Sequence, residues 1–592
     1  MALRIAVVLR DRCQPKKCNY ECVRFCPRVR SGEKVVVPDE KGKPSISEEL
    51  CVGCGICVHK CPFEAIKIIG LPSELKRELI HQYGENSFRL FKLPIPRAGE
   101  TIGLLGPNGI GKTTILSILS GQLVPNLGDF RNPPGWDAVI ERFSGTELKD
   151  YFIKIKEKKL ITSLKPQYVD KLPRVESGKV GELLTRVDPE GKLKNLARGL
   201  ELESCLDRRL SELSGGELQR VAIAATILKP ADVYFFDEPS SYLDIHQRLR
   251  VARIIRSLAS SKRVVVVEHD LAALDFLADS VYLMYGSEGA YGVVGQPRSV
   301  RSGINTYLDG YMREENIRFR ERPIRFEAKA PRGEWGGKVI LEFPALYKKY
   351  DGFSLRTEPG RIREGEVVGV VGPNATGKTT FVRILAGELS PTEGSVELKL
   401  RVSYKPQYVR IEFEGTVGEY LCFALHETAE DLFFKTEVIE PLGLRSIWEK
   451  QIQELSGGEL QRVAIGSCLG ARDAELFLID EPSAYLDSNQ RMEVASAIRR
   501  VMEKSGKSAF IVDHDIYFLD LVSDSIMVFE GIPGVEGRGA GPFDMRTGMN
   551  RFLKSVGITF RRDAETKRPR INKPDSRLDR EQKERGEYYY QE

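Results

Sequence analysis

The sequence predicts an α/β chain: a small cysteine-rich α+β domain followed by two tandem P-loop nucleotide-binding domains. Three observations predict it. The octapeptide LSGGELQR occurs at Leu213–Arg220 and again at Leu455–Arg462. Two loops of the form G-x4-G-K-S/T occur, at Gly106–Thr113 and Gly372–Thr379. Eight of the eleven cysteines fall within the first 61 residues.

With 592 residues, 41% hydrophobic and 29% charged, the chain is long enough for several buried cores and has an ordinary globular composition. No apolar run approaches the 18 residues of a membrane span, and the N-terminal MALRIAVVLRDRC is too short and lacks a cleavage site for a secretory signal. A cytoplasmic protein with no membrane partner is expected. The net charge of +5 is small for this length, so where the charge sits is more informative than its sum. In such a chain, clustered cysteines favour metal over disulfides.

Cys51-x2-Cys54-x2-Cys57-x3-Cys61-Pro62 has the bacterial ferredoxin spacing for a 4Fe–4S cluster. Cys13-x4-Cys18-x3-Cys22-x3-Cys26-Pro27 is a looser version of the same run. Where two such runs occur, the fourth cysteine of each serves the other cluster. That rule assigns Cys51, Cys54, Cys57 and Cys26 to one cluster and Cys13, Cys18, Cys22 and Cys61 to the other. Structural zinc is the rival reading, but it usually takes separated Cys-x2-Cys pairs. No flavin or haem site is visible downstream, so a folding role for the clusters is favoured over electron transfer.

Each P-loop follows a strand-like run and precedes an apolar helical one, the context in which its backbone amides cradle phosphates. Lys112 and Lys378 are placed to reach the terminal phosphates, and Thr113 and Thr379 to ligate magnesium. Gly106, Asn108, Gly109, Gly111 and Thr114, with Gly372, Asn374, Gly377 and Thr380, complete the two ATP-binding loops. Ala375 stands where the first loop has Gly109 and predicts a stiffer second loop. Two apolar strands end in Asp237-Glu238 and Asp480-Glu481. The aspartates suit magnesium, and the adjacent glutamates are placed to orient or deprotonate the attacking water. In LSGGE, Ser214, Gly215, Gly216 and Glu217, and likewise Ser456, Gly457, Gly458 and Glu459, present a helix N-terminus to an anion. An aromatic ring upstream of each P-loop is expected against adenine, Tyr83 in the first site and Tyr350 in the second.

The order P-loop, Gln, LSGGE, Asp-Glu, His runs twice. Lys112 to Gln167 spans 55 residues but Lys378 to Gln407 only 29, which places about 26 extra residues near 132–160 of the first copy. The charged stretch Glu147–Lys159 reads there as an exposed helix, either solvated or contacting a partner. A third repeat pairs Arg301-Ser-Gly303-Ile-Asn305 with Arg546-Thr-Gly548-Met-Asn550. The basic stretch 551–574, with Arg561, Arg562, Arg568 and Arg570, reads as contacts to an RNA backbone. The expected organisation is 1–75 cysteine domain, 76–295 first nucleotide-binding domain, 296–330 hinge, 331–545 second nucleotide-binding domain, and 546–592 second hinge and basic tail.

LSGGELQR resembles the signature motif of ATP-binding-cassette (ABC) ATPases. Gln167 and Gln407 resemble that family's Gln loop, whose glutamine also serves magnesium. Asp244 and Asp487 resemble its D-loop, and His269 and His514 its switch histidine. The eight cysteines, tandem cassettes, one-sided insert and paired Arg/Gly/Asn elements together resemble the ABC-E family, over essentially the whole chain. Phe343-Pro344 departs from the expected Tyr-Pro. The resemblance implies a ferredoxin-like domain with two 4Fe–4S clusters, ATP and Mg²⁺ as cofactors, and composite sites in which each signature meets the opposite P-loop. It further implies a monomeric ATPase that recycles ribosomes with a release factor or Pelota-like partner. Such a factor stays on the small ribosomal subunit and its RNA, where initiation factors also act. The alternative is an ABC ATPase that couples iron–sulfur redox chemistry to ATP hydrolysis.

Overall fold

Two eight-stranded sheets of identical strand order dominate the computed structural model, which describes residues 3–320, 323–326, 337–396, 400–426 and 431–589. The expected boundary at residue 331 lies outside these. In the first sheet the order is Leu79–Gln82, Arg89–Phe91, Tyr291–Ser299, Ser280–Ser287, Thr101–Leu105, Arg263–Val267, Val233–Asp237, Thr162–Lys165. The second repeats it from Leu346–Tyr350 to Val402–Lys405. Thr101–Leu105 and Val367–Val371 lie inside their sheets and are buried throughout, as continuous apolar runs flanked by parallel neighbours should be. Each P-loop therefore leaves the centre of a rigid sheet.

The cysteine domain is stitched to the first cassette by one strand. Leu3–Val8 pairs antiparallel with Ile66–Leu71. Successive side chains of a strand face opposite ways. Ala6 and Val8 pack with Cys22, Val36, Ile46 and Cys57, while Ile5 and Val7 join the core that runs through the first cassette. Asn86 clips the joint. Its side chain donates to the carbonyls of Ala6 (3.0 Å) and Ile46 (2.9 Å), accepts the Ile46 N–H (2.7 Å), and its carbonyl accepts the Val8 N–H (2.9 Å). Arg89 pairs with Glu48 at 2.9 Å.

The first-cassette insert forms two helices, Trp136–Arg142 and Glu147–Lys156. The expected exposed helix is only half exposed. Leu148, Tyr151 and Phe152 are buried, Phe152 lies against Trp136 and Phe143, and the Tyr151 hydroxyl donates to the Leu119 carbonyl at 2.7 Å. Its charges occupy the outer face of an amphipathic hairpin.

The Arg/Gly/Asn elements are the helices Val300–Asp309 and Met545–Val556. Gly548 lets its helix lie on the sheet, since a Cβ there would stand 2.6 Å from Ile526 Cβ. The basic stretch corrects the sequence reading. Arg568 is fully buried, Arg562 is 8% exposed, and Arg570 is bound along its length, so these three are internal rather than RNA-facing. Arg562 forks onto Asp520 (2.7 and 2.8 Å). Arg568 bonds Asn305 (3.0 Å) and Asp275 (3.1 Å), and Arg570 reaches Asp275 at 2.9 and 3.1 Å. Asp563 closes the lock by accepting from Arg301 (2.9 Å) and Asn305 (3.1 Å). The C-terminal segment thus ties the hinge helix of the first cassette to the second.

Candidate active sites

Gly111 (φ 91°) and Gly377 (φ 93°) cap the helices Lys112–Leu119 and Lys378–Leu385 in the left-handed region, which glycine enters freely. A Cβ on Gly106 would lie 2.7 Å from the Met284 carbonyl oxygen, and one on Gly372 2.4 Å from that of Phe529. Lys112 donates to the carbonyls of Gly106 and Pro107, both at 2.7 Å, and Lys378 to those of Gly372 (2.8 Å) and Pro373 (2.6 Å). Burial lowers both ammonium groups to about 8. Thr113, Thr114, Thr379 and Thr380 occupy the first turns that follow. Ala375 holds the left-handed turn of Gly109 (φ 57° against 70°), a strain of roughly 1 kcal/mol for a residue with a Cβ.

The carboxylate pairs end the strands Val233–Asp237 and Leu476–Asp480. Burial raises Asp237 and Asp480 to about 6. The Thr113 hydroxyl donates to Asp237 at 2.9 Å. At Asp480 the Thr379 hydroxyl lies close enough to lower the pKa, yet neither buried carboxylate oxygen has a well-formed hydrogen bond among the described residues. Hard oxygen atoms left without donors beside a P-loop threonine fit a divalent cation.

Glu238 and Glu481 are each gripped in the same way. Gln167 Nε2 donates to Glu238 Oε1 at 2.7 Å, and Gln407 to Glu481 at 2.8 Å. His269 and His514 hold Nε2 3.5 Å from those same oxygens. Burial pushes Glu481 upward, but the His514 hydrogen bond and charge, Gln407 and Lys378 outweigh it and hold the carboxyl at about 2. Burial, then Lys112 and Arg491, depress His269 well below the usual histidine range, so its imidazole is neutral.

Several contributors escaped the sequence reading. Lys165 donates to the carbonyls of Asp237 (2.8 Å) and Glu238 (3.3 Å), and Lys405 likewise to Asp480 (2.7 Å) and Glu481 (3.3 Å). The signature-helix glutamines Gln219 and Gln461 donate to the Glu238 and Glu481 carbonyls at 2.7 and 2.6 Å. Both pairs stood inside repeated words, KPQYV and LSGGELQR, which was the available signal. Glu238 and Glu481 adopt φ 48°, and the D-loop tyrosines Tyr242 and Tyr485 φ 65° and 63°. The same strain in both copies marks turns that the surrounding contacts enforce.

Ser214 and Ser456 cap the signature helices Gly215–Leu228 and Gly457–Leu469 through capping boxes with Glu217 and Glu459. Those carboxylates turn back onto their own helix starts, held by Arg208 at 2.8 Å and Lys450 at 2.7 Å. Gly216 and Gly458 admit the D-loop backbone, since a Cβ would lie 3.0 and 2.8 Å from the Tyr242 and Tyr485 carbonyl oxygens. Gly215 and Gly457 face the same tyrosine rings.

The D-loops carry the contacts between cassettes. Asp487 accepts the Asn108 N–H at 2.9 Å, and Asp244 accepts that of Asn374 at 2.9 Å. Tyr242 and Tyr485 meet edge to face, 6.5 Å between centroids. Each P-loop is therefore touched by the D-loop of the other cassette.

Tyr83 is 57% exposed and its hydroxyl lies 3.0 Å from the Thr114 hydroxyl, beside the first P-loop. Tyr350 is 40% exposed and stacks on Phe353, whose ring lies 3.1 Å from where a Gly377 Cβ would be. In the N-terminal domain, burial and then Cys61, Cys18 and Cys13 raise the Cys22 thiol to about 12. Burial and then Cys51, Cys54 and Cys26 raise Cys57 to about 11. Each of these two thiols feels cysteines of both runs, Cys61 at Cys22 and Cys26 at Cys57, a mutual repulsion that bound iron would offset.

Comparison with known proteins agrees with these sites. The family described as "ABC transporter" matches residues 95–241 and 359–484. "Possible Fer4-like domain in RNase L inhibitor, RLI" matches 3–34, and "4Fe-4S binding domain" matches 44–67. An ABC transporter ATP-binding protein of Methanocaldococcus jannaschii is 53% identical, covering 99% of this chain and 98% of its own length. Translation initiation factor RLI1 of Saccharomyces cerevisiae is 47% identical, covering 99% and 98%. A structure titled as a model of ribosome-bound archaeal Pelota and ABCE1 is 53% identical over 99% of both chains, with a TM-score of 0.93. The archaeal ribosome recycling factor crystallised with ribosomal stalk protein aP1 is 52% identical, covering 88% of this chain and 100% of that one, with a TM-score of 0.84. This chain belongs to the ABC-E family, whose members place an iron–sulfur domain before two ATP-hydrolysing cassettes.

Proposed function

We propose that this protein is a cytoplasmic ATP-driven ribosome recycling factor. It splits post-termination or stalled ribosomes together with a release factor or Pelota-like partner and then remains on the small subunit. The observation that carries the mechanism is the reciprocal pair Asp487–Asn108 and Asp244–Asn374. ATP held by Lys112, Thr113 and the first P-loop faces Ser456 and Asp487 of the other cassette. ATP on Lys378 and Thr379 faces Ser214 and Asp244. Nucleotide that touches both cassettes only when they close favours closure by that difference in binding. Inverting a 1:99 population takes roughly 5.5 kcal/mol. Glu238 and Glu481 orient and deprotonate water, Gln167 and Gln407 hold those glutamates, and His269 and His514 meet the terminal phosphate. A magnesium ion would be held by Thr113, Asp237 and Gln167, and in the second site by Thr379, Asp480 and Gln407. It would neutralise charge on the phosphates.

Two 4Fe–4S clusters fit the two cysteine groups, Cys51, Cys54, Cys57 and Cys26 for one and Cys13, Cys18, Cys22 and Cys61 for the other. They supply rigidity to a domain with a thin core. That domain, clipped by Asn86 and Arg89, would push against the bound factor as the cassettes close. Relatives bearing the names of translation and recycling factors support this reading over a redox ATPase. The test is sedimentation with purified ribosomes, Pelota-like factor and ATP. Conversion of joined ribosomes to subunits, with this chain migrating on the small subunit, is expected. Splitting that requires a change in cluster oxidation state would favour the redox reading instead.

A further inference from the structure

The two D-loop turns differ in one side chain that reaches the opposite site. The helices Ile245–Leu258 and Ser488–Ser505 begin alike. Asp244 caps Gln247 (2.9 Å) and Asp487 caps Gln490 (2.8 Å), while the second oxygen of each crosses to the opposite P-loop. The next residue is Ile245 in one turn and Ser488 in the other. Ser488 donates its hydroxyl to the His269 carbonyl at 2.7 Å, and its backbone N–H points at His269 Nδ1 at 3.4 Å. Ser488 Oγ lies 3.3 Å from the same nitrogen. At the other site Ile245 has a backbone N–H but no hydroxyl to anchor it on the His514 carbonyl. Arg248 reaches the His514 carbonyl at 3.4 Å, and His514 Nδ1 has no hydrogen-bond partner among the described residues.

A neutral imidazole donates from one nitrogen and accepts at the other. The Ser488 hydroxyl, bonded to the His269 carbonyl, anchors the turn so that the Ser488 N–H faces Nδ1. Nδ1 is then an acceptor, and the proton belongs on Nε2, the atom 3.5 Å from Glu238 Oε1. A histidine that bridges a terminal phosphate and the glutamate needs its proton there. We propose that Ser488, from the second cassette, is a positioning residue of the first ATP site that fixes His269 as the Nε2–H tautomer. Ile245 denies His514 the same control, so the two sites are chemically unequal. The groups facing His269 are Glu238, Lys112 and Arg491, with Glu268 accepting the His269 backbone N–H at 2.7 Å. None of them bonds Nδ1: the Glu238 carboxylate favours the proton on Nε2 from one side, and the Ser488 N–H holds Nδ1 as the acceptor from the other.

This inference rests on the reading that His269 serves the first site. The test uses the full-length, cluster-loaded protein and ¹⁵N-histidine spectra, with single-turnover ATP hydrolysis measured separately for each site. Glu481→Gln isolates the first site and Glu238→Gln the second. In the unmodified protein His269 is expected as Nε2–H with a hydrogen-bonded Nδ1, and His514 with an Nδ1 that carries no hydrogen bond. Ser488→Ala should move the His269 Nδ1 signal toward that of His514 and slow the first site by about tenfold or more, the scale of losing a group that orients a catalytic histidine. Ser488→Thr should restore both, and Ile245→Ser should give His514 Nδ1 a hydrogen-bonded shift. Identical Nδ1 shifts at His269 and His514, or a His269 spectrum unmoved by Ser488→Ala, would overturn the proposal. So would equal turnover in the Ala and Thr variants. If His269→Gln leaves first-site turnover intact, the role of His269 itself falls. If that variant is inactive while Ser488→Ala is normal, only the positioning role falls.

Discussion

Arg320, in the hinge that follows the first cassette, donates to the side-chain oxygen of Asn489 at 2.8 Å, two residues after the D-loop carboxylate Asp487. Its guanidinium lies over Tyr307 and bonds the Tyr307 and Leu308 carbonyls (2.9 and 3.1 Å). Three consecutive residues of the second cassette therefore touch the first P-loop, the first switch histidine and the hinge: Asp487, Ser488 and Asn489. A change at the first ATP site is thereby wired to the pivot between the cassettes.

Removing the base from either site should stop its chemistry while leaving nucleotide bound. Glu238→Gln and Glu481→Gln should each lower turnover at their own site by about 10² to 10⁴. Site-resolved single-turnover hydrolysis checks this, and equal residual overall rates would argue against unequal sites.

Tyr83→Ala should weaken ATP binding at the first site by roughly 1–3 kcal/mol if the ring carries adenine. Tyr83→Phe should bind normally, because the hydroxyl is directed at Thr114 rather than at the base. Titration with a fluorescent ATP analogue distinguishes the two variants.

The raised carboxyls give magnesium binding a pH dependence. Asp237 and Asp480 have folded values of about 6 against an ordinary 3.8, so between these values the folded chain holds protons that the unfolded chain has released. Raising the pH through that window lowers the stability of the nucleotide-free protein. Magnesium requires ionised carboxylates, so Mg²⁺–ATP should bind more tightly at pH 7.5 than at pH 5.5. Calorimetric titration at both values checks the sign.

The buried hinge lock should matter to stability rather than to RNA affinity. Arg568→Ala takes one buried partner from Asp275 and one from Asn305, which keep Arg570 and Asp563, and should cost about 1.5–3 kcal/mol. Thermal unfolding measures it. The salt slope of small-subunit binding should be unchanged by Arg568→Ala, since a fully buried guanidinium releases no counterions.

Losing the clusters should be felt beyond the cysteine domain. Cys54→Ser or Cys22→Ser should remove iron–sulfur absorbance and unfold the segment through Leu71. It should also destabilise the first cassette, because Ile5, Val7 and Leu71 belong to its core. Hydrogen exchange at Leu79–Gln82 and Arg89–Phe91 should rise in these variants.

Local chemistry was legible in the sequence. The P-loop glycines, the Ser and Asp caps, the apolar strands ending in Asp-Glu and the cysteine spacing each encode a short-range geometry. Their duplication announced two equivalent sheets. Tertiary structure decided what depends on distant partners. The spacing of Arg562, Arg568 and Arg570 could not show Asp520 and Asp275 waiting to bury them, so a basic run looked like an RNA surface. The charges of Glu147–Lys156 hid the stripe of Leu148, Tyr151 and Phe152 beneath them. Ser488 reads in the sequence as one polar residue opening a helix, and Ile245 as one apolar residue. Only when the cassettes face each other does the first meet His269 and the second leave His514 Nδ1 without a donor, because that donor arrives across an interface and not from neighbours in the chain.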